Sequence, residues 1–237
     1  MKKKIALTGI KPAAGLTIDD YYAPLNRLMA FHKDYTCLLM VADYHALKTD
    51  SNVGVDIEEH VRNVVLDVLA AGFDVDKGVC FLQSQVPQLA EFASILGNLV
   101  QVNQLLDPKE VNQESYGFLG YSIFQAADIL MFRPTCVPIG SNQECRILLT
   151  QDLAKQFNGR FGKVFPEPLP SYGKTGDQGQ PCSSCEEFED RRSELMKEKG
   201  LVGDMLNVGC SVARIQGQRT LELVKEAIGF GYAELLT

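Results

Sequence analysis

The sequence predicts an α/β fold, a parallel sheet with helices on both faces. Three observations carry this. Short apolar runs at 2–10, 35–47 and 78–84 are bounded by glycine, proline or polar residues, the pattern of buried strands. Between them lie stretches of helical length, so successive strands cross over and run parallel. Apolar residues make up 46% of the 237 residues, enough for one large domain with a small appendage.

The elements follow in order. The run at 2–10 is the first strand, closed by Gly9 and Pro12. It is too short for the apolar stretch of a signal peptide. A loop at 11–15 leads to a helix over 19–32. The second buried strand is 35–47, followed by a polar loop at 48–55. The helix over 57–71 is ended by Gly72. The third strand is 78–84, and the helix over 86–98 is opened by Pro87. The stretch 121–158 reads as helix, strand, helix. The chain ends in a helical piece at 191–230. No apolar run approaches the ~20 residues of a membrane helix, and a cytoplasmic protein without a membrane partner is expected. The seven cysteines are an odd number without framework spacing, so most are expected as reduced thiols. The net charge is −7, with no evident basic face for an RNA backbone.

The chemistry concentrates on one helix. Tyr121, Gln125 and Asp128 stand at i, i+4 and i+7 and share a face with Phe124. A phenol, an amide and a carboxylate amid apolar residues suit a ligand with an ammonium group and a flat apolar body. Asp128 would accept from a ring N–H or hydroxyl while Tyr121 and Gln125 hold the amine. The same spacing also fits an ordinary amphipathic helix with a few polar residues at its rim. In open parallel sheets ligands bind outside the carboxyl ends of the strands. Residues 9–15, 43–45 and 84–86 lie at such ends, which adds Gly9, Lys11 and His45 to the candidates. His60, in the first turn of the next helix, is expected near the same edge, and His32 on the opposite one. Cys182 and Cys185 have the spacing of a metal or redox knuckle. No second close pair completes it, and a loop with free thiols is the competing reading. Cys37 and Cys80 fall in strands and read as core.

A longer pattern surrounds that helix. Tyr121-x-x-x-Gln125-Ala126-Ala127-Asp128-Ile129-Leu130 is followed by Val137-Pro138-Ile139-Gly140-x-x-Gln143. Leu149-Thr150-x-Asp152-Leu153-Ala154-x-x-Phe157-Asn158 and Phe165-Pro166-Glu167-Pro168 come next. Upstream stand Thr8-Gly9-Ile10-Lys11-Pro12, Ala42-Asp43-Tyr44-His45-Ala46-Leu47 and Phe81-Leu82-Gln83-Ser84-Gln85-Val86-Pro87. In this order they resemble the tryptophanyl-tRNA synthetase family over nearly the whole chain. The resemblance implies a class I synthetase core of Rossmann type and a homodimer. It also implies that Asp128 meets an indole N–H, that Tyr121, Gln125 and Gln143 meet the α-amino and carboxylate groups, and that Val137 and Ile139 line the pocket. His45 matches a family residue beside the amino acid.

The chain departs from the family in three places. The family's first helix opens with a His-x-Gly-His or Thr-x-Gly-Asn type signature for ATP. Here Thr17 fits, but Asp19 and Asp20 stand at the glycine and at its polar partner. Two like charges at about 4 Å repel by roughly 4 kcal/mol at an effective dielectric of ~20, unless a Mg²⁺ ion offsets them. The second signature, Lys-Met-Ser-Lys-Ser, has both lysines replaced, by Pro181 and Ser184. The family's helical anticodon-binding region is mostly missing. The expected organisation is therefore a 1–172 amino-acid-binding core, a degenerate loop at 173–190 and a helical remnant at 191–237.

The resulting expectation is a protein that binds L-tryptophan or a related aromatic amino acid, without ATP or tRNA as partners. Its leading form is an oxidative modification, such as hydroxylation, of free tryptophan in specialised metabolism. There a haem or another redox cofactor occupies the former ATP site, with His45 or His60 as ligand and catalytic group. The others are a tryptophan sensor or partner subunit that does no chemistry, and a residual tryptophan-tRNA ligase.

Overall fold

The computed structural model describes residues 4–13, 24–49, 56–105, 116–139, 144–172 and 185–232. The strands are β1 (Lys4–Ile10), β2 (Tyr35–Val41), β3 (Gly78–Leu82), β4 (Cys136–Ile139) and β5 (Leu169–Tyr172). They form one sheet in the order β3-β2-β1-β4-β5, and every pairing is parallel. The helices are α1 (Asn26–Ala30), α2 (Asp43–Thr49), α3 (Ile57–Ala70), α4 (Gln88–Gly97), α5 (Tyr116–Met131), α6 (Glu144–Phe161), α7 (Cys185–Leu195) and α8 (Leu201–Ala227).

The period of two in the strands explains why helices cover both faces. Leu7, Leu38, Met40 and Phe81 point into one apolar cluster with Phe92, Leu130 and Phe157 of α4, α5 and α6. Their neighbours Ala6, Cys37, Leu39, Val41 and Cys80 point into the other, with Leu28 of α1 and Val61, Val64, Val65 and Val68 of α3. The valines of α3 recur at helical spacing, Glu58 and Glu59 sit in its first turn, and Gly72 beyond it adopts φ 101°.

Three expected boundaries are corrected. The second strand stops at Val41, and Asp43 opens α2. The apolar character of 35–47 continues because α2 also buries residues, Ala46 and His45 among them. An apolar run alone does not separate a buried strand from a buried helix. The third strand stops at Leu82, and Gln83–Gln85 turns in a 3-10 helix. In the expected loop 173–190, α7 already begins at Cys185.

The C-terminal helical appendage packs into the same core. Cys210, Ala213, Leu221 and Val224 of α8 join the first cluster and Leu206 the second. Strand β3 is one edge of the sheet, where unpaired N–H and C=O groups invite association. Here α8 covers it: the Leu82 N–H donates to Cys210 Sγ at 3.3 Å. The backbones approach so closely that a Cβ on Gly209 would lie 1.8 Å from the Cys80 carbonyl oxygen. Burial pushes the Cys80 thiol up to about 12, in keeping with its reading as a core residue. Among the described residues no helix is long and apolar enough to cross a membrane.

Gly209→Ala should therefore force α8 off β3. A loss of about 1–3 kcal/mol or more is expected in urea unfolding, the cost of overpacking a core. Gly203, with open space around the same construction, is the control, and Gly203→Ala should not destabilise. Equal stability of Gly209→Ala and wild type would mean that α8 does not seat on the strand in this way.

Candidate functional site

The site lies at the carboxyl ends of β1 and β4. At their amino ends Thr135 N–H donates to Ile5 O at 2.9 Å and Ala6 faces Cys136. Pro138 brings no N–H to the sheet, and the Thr8 hydroxyl donates to its carbonyl at 2.9 Å. The strand order reverses between these two strands, which makes them the switch point of an open parallel sheet. A cavity opens there, lined by Thr8 and Gly9 of β1 and by Val137, Pro138 and Ile139 of β4. Met40 and Ala42 of the second strand end, His45, and Tyr121, Gln125, Asp128 and Ile129 of α5 complete much of the wall, with Lys11, Arg146 and Ile147.

Of the expected residues, Gly9, Lys11, His45, Tyr121, Gln125, Asp128, Val137 and Ile139 are brought to this one cavity. His60 is not in its lining and lies half-buried in α3. His32 is at the other end of the sheet, edge-on to Phe73 and beside the start of β3, where burial lowers its pKa. Gln143, Thr17, Asp19, Asp20, Pro181, Ser184 and Cys182 lie outside the described residues, as does the side chain of Cys185. Among the described residues no group of three or more His, Cys, Asp or Glu could hold a metal ion.

Asp128 is buried and ties three segments together. Gln83 Nε2 donates to both carboxylate oxygens at 2.8 Å, and His45 Nε2 stands 2.6 Å from Oδ2. The other end of the Gln83 amide accepts the Tyr44 N–H at 3.1 Å, and Asp43 Oδ1 accepts the Ser84 N–H at 2.9 Å. The ends of the second and third strands are thus locked to α5. The His45 ring lies edge-on to Tyr121 and Phe124, with centroids 4.5 and 5.8 Å away. Burial pushes the Asp128 carboxyl above its ordinary value, while the His45 and Gln83 bonds pull the other way. Burial likewise raises the Tyr121 phenol.

Two acceptors have capacity left. A carboxylate has about four lone-pair sites, and these contacts use three, leaving one on Oδ1. Gln125 Oε1 is buried without a hydrogen-bond partner. Sequence reasoning missed Gln83, which it placed inside the third strand; its signal is its position at the carboxyl edge of the sheet. It also missed Arg146, which stands at the cavity wall with its guanidinium 4.9 Å from the Tyr121 ring centre.

Fold and cavity together define a Rossmann-type α/β protein with a cavity at its switch point. Residues 1–180 match the family described as tRNA synthetases class I (W and Y), and the chain belongs to that family. The Tryptophan--tRNA ligase of Treponema pallidum (strain Nichols) is 38% identical over 173 residues, covering 68% of this chain and 51% of its own length. That of Clostridium tetani (strain Massachusetts / E88) is 34% identical over 182 residues, covering 73% and 54%. The chain thus spans about half the length of these curated relatives. Among solved structures, the tryptophanyl-tRNA synthetase of Mycoplasma pneumoniae superposes with a TM-score of 0.82 at 16% identity, over 97% of this chain and 99% of that one. The Campylobacter jejuni enzyme complexed with ADP and tryptophan gives 0.80 at 18%, over 95% and 99%. These two likenesses establish the class I synthetase fold.

Asp128 gives the site a pH signature. Its acid is raised in the folded state, so folding favours the protonated form. The stability it contributes is full below about pH 4 and is lost as pH rises through the raised value. Asp128→Asn does not titrate. In denaturant titrations the difference between variant and wild type should move in the variant's favour from about pH 4 to 8. A flat or opposite trend would show that the His45 and Gln83 bonds outweigh burial.

Proposed function

We propose that this chain binds L-tryptophan or a closely related aromatic amino acid in the cavity at the carboxyl ends of β1 and β4, and does not charge tRNA. The observation that carries the binding is the pair of unfilled acceptors, Asp128 Oδ1 and Gln125 Oε1, in a largely apolar wall. A flat apolar body with one ring N–H and one ammonium group supplies both missing donors. Family membership supports the same ligand, as does the likeness to a relative solved with tryptophan. A homodimer is the assembly we expect from the family.

In this reading the chain's own groups act as follows. Asp128, held by Gln83 and His45, accepts the ring N–H. Gln125 accepts from the ammonium group. Val137, Ile139 and Ile129 enclose the ring and exclude water, which strengthens both bonds. The nucleotide signatures support the non-charging part from sequence: Asp19, Asp20, Pro181 and Ser184 replace groups that would hold a triphosphate. When bound in this family ATP supplies the activating phosphoanhydride, and the residues of both signatures lie outside the described residues.

A second reading, chemistry on the bound amino acid, is favoured by His45, which meets Asp128 beside the ligand space. Its redox form places a haem or similar cofactor next to the indole. With Nε2 turned to Asp128, His45 would have only Nδ1 to offer such a cofactor.

Two measurements test the main reading. Calorimetry should show L-tryptophan binding, and Asp128→Ala should weaken it by about 1–3 kcal/mol as the ring N–H loses its acceptor. No binding, or an unchanged affinity, would remove the pocket assignment. Tryptophan-dependent exchange of pyrophosphate into ATP should be absent. Robust exchange at millimolar Mg²⁺-ATP would return the chain to the active ligases.

A further inference from the structure

The cavity has an acidic pole at Asp128, and across Tyr121 from it stands a cation that sequence reasoning had not assigned. Arg146 is half-buried in the first turn of α6 and lines the cavity. Its guanidinium lies 4.9 Å from the centre of the Tyr121 ring, and Nη1 is 3.5 Å from the phenol oxygen. The Lys11 ammonium approaches the same ring at 5.9 Å. Among the described residues no carboxylate pairs with Arg146, whereas Lys155, Arg192 and Lys225 on other parts of the helices do meet one. Tyr121 stands between the two poles: Arg146 favours its phenolate and Asp128 opposes it.

A guanidinium is always charged, and its flat fork fits a carboxylate through two parallel bonds. The first turn of a helix is also where a cation is least favoured by the helix dipole. A cation held there, stacked on an aromatic ring and facing a cavity, has an unmet demand for an anion. The ring N–H and ammonium group already have acceptors in Asp128 and Gln125. The group left over on an α-amino acid is its carboxylate.

We propose that Arg146 is the carboxylate clamp of this site and sets its preference for amino acids over the corresponding amines. The inference rests on the reading of the cavity as an amino-acid site. It adds a specificity-determining residue to it. Tyr121 acts as the positioning residue, fixing the guanidinium plane by stacking. A ligand without the carboxylate would leave Arg146 unpaired against the cavity wall, and a ligand without the amine would keep the clamp.

The test is calorimetry on the full chain with L-tryptophan, indole-3-propionate and tryptamine, using wild type, Arg146→Gln and Arg146→Lys. Circular dichroism and thermal melting check that each variant is folded. Wild type should bind both acids more tightly than tryptamine. Arg146→Gln should lose about 10- to 100-fold for both acids, the scale of a charge-assisted hydrogen bond, with tryptamine within about twofold. Arg146→Lys keeps the charge without the fork and should fall between. Equal affinity of wild type for tryptophan and tryptamine overturns the proposal whatever the variants do. So does an Arg146→Gln protein that binds the acids like wild type, and in both cases the aromatic pocket itself stands. If none of the three ligands binds wild type, the amino-acid reading falls and the clamp with it.

Discussion

The switch point between β1 and β4 is the constraint on which the site depends. The chain leaves these two strands for opposite sides of the sheet, so a crevice opens outside their carboxyl ends. The strands themselves stay side by side. Ala6 pairs with Cys136, and the Thr8 hydroxyl donates to the carbonyl of Pro138, which has no N–H to extend the ladder. The buried polar groups at this seam are therefore satisfied. The floor of the cavity is backbone and apolar side chain, and most of its polarity comes from the helices laid across it, with Lys11 from the loop after β1.

Asp128 supplies the second constraint. Burying a carboxylate costs several kcal/mol unless it is paired and hydrogen-bonded. Gln83 and His45 offset that cost, and both are held in turn: Gln83 by the Tyr44 backbone, His45 by the rings of Tyr121 and Phe124. The network spans α2, the turn after β3, and α5. An apolar residue at Asp128 would leave two buried donors unmet, so the three positions function as a unit. The C-terminal helix contributes from the far edge. By seating Gly209 on Cys80 and Cys210 on the Leu82 amide, α8 fixes the strand that carries Gln83. The pocket's acceptor is thus positioned through a chain of contacts that reaches the last helix.

Much of this was legible in the sequence for a simple reason: periodicity survives without coordinates. Apolar runs broken by glycine and proline gave the first three strands, and the helical spacing of Tyr121, Gln125 and Asp128 put three polar groups on one face. The short edge strand β5 was not predicted, because Leu169–Tyr172 is half exposed and forms no apolar run. Strand ends were less legible. The run through 35–47 is apolar in strand and helix alike, so the start of α2 at Asp43 was hidden. Gln83 was hidden differently, because its role is defined by partners 39 and 45 residues away. Arg146 looks in sequence like any charged residue on a surface helix. Only the approach of α6 to α5 turns it toward Tyr121.

The arithmetic of lone pairs and charges bears on what the cavity selects. An aromatic ring without an N–H would fit the same apolar walls, but it would leave the last site on Asp128 Oδ1 and exclude the water that could fill it. A site built around a hydrogen-bond acceptor rejects a ligand lacking the donor far more strongly than an apolar pocket rejects a missing methylene. On the proposed reading, selection among aromatic amino acids falls to Asp128, and selection for the amino group to Gln125. The walls of β1 and β4 contribute affinity and little discrimination. On that reading the preference rests on the acceptor capacity that Asp128 and Gln125 still have open.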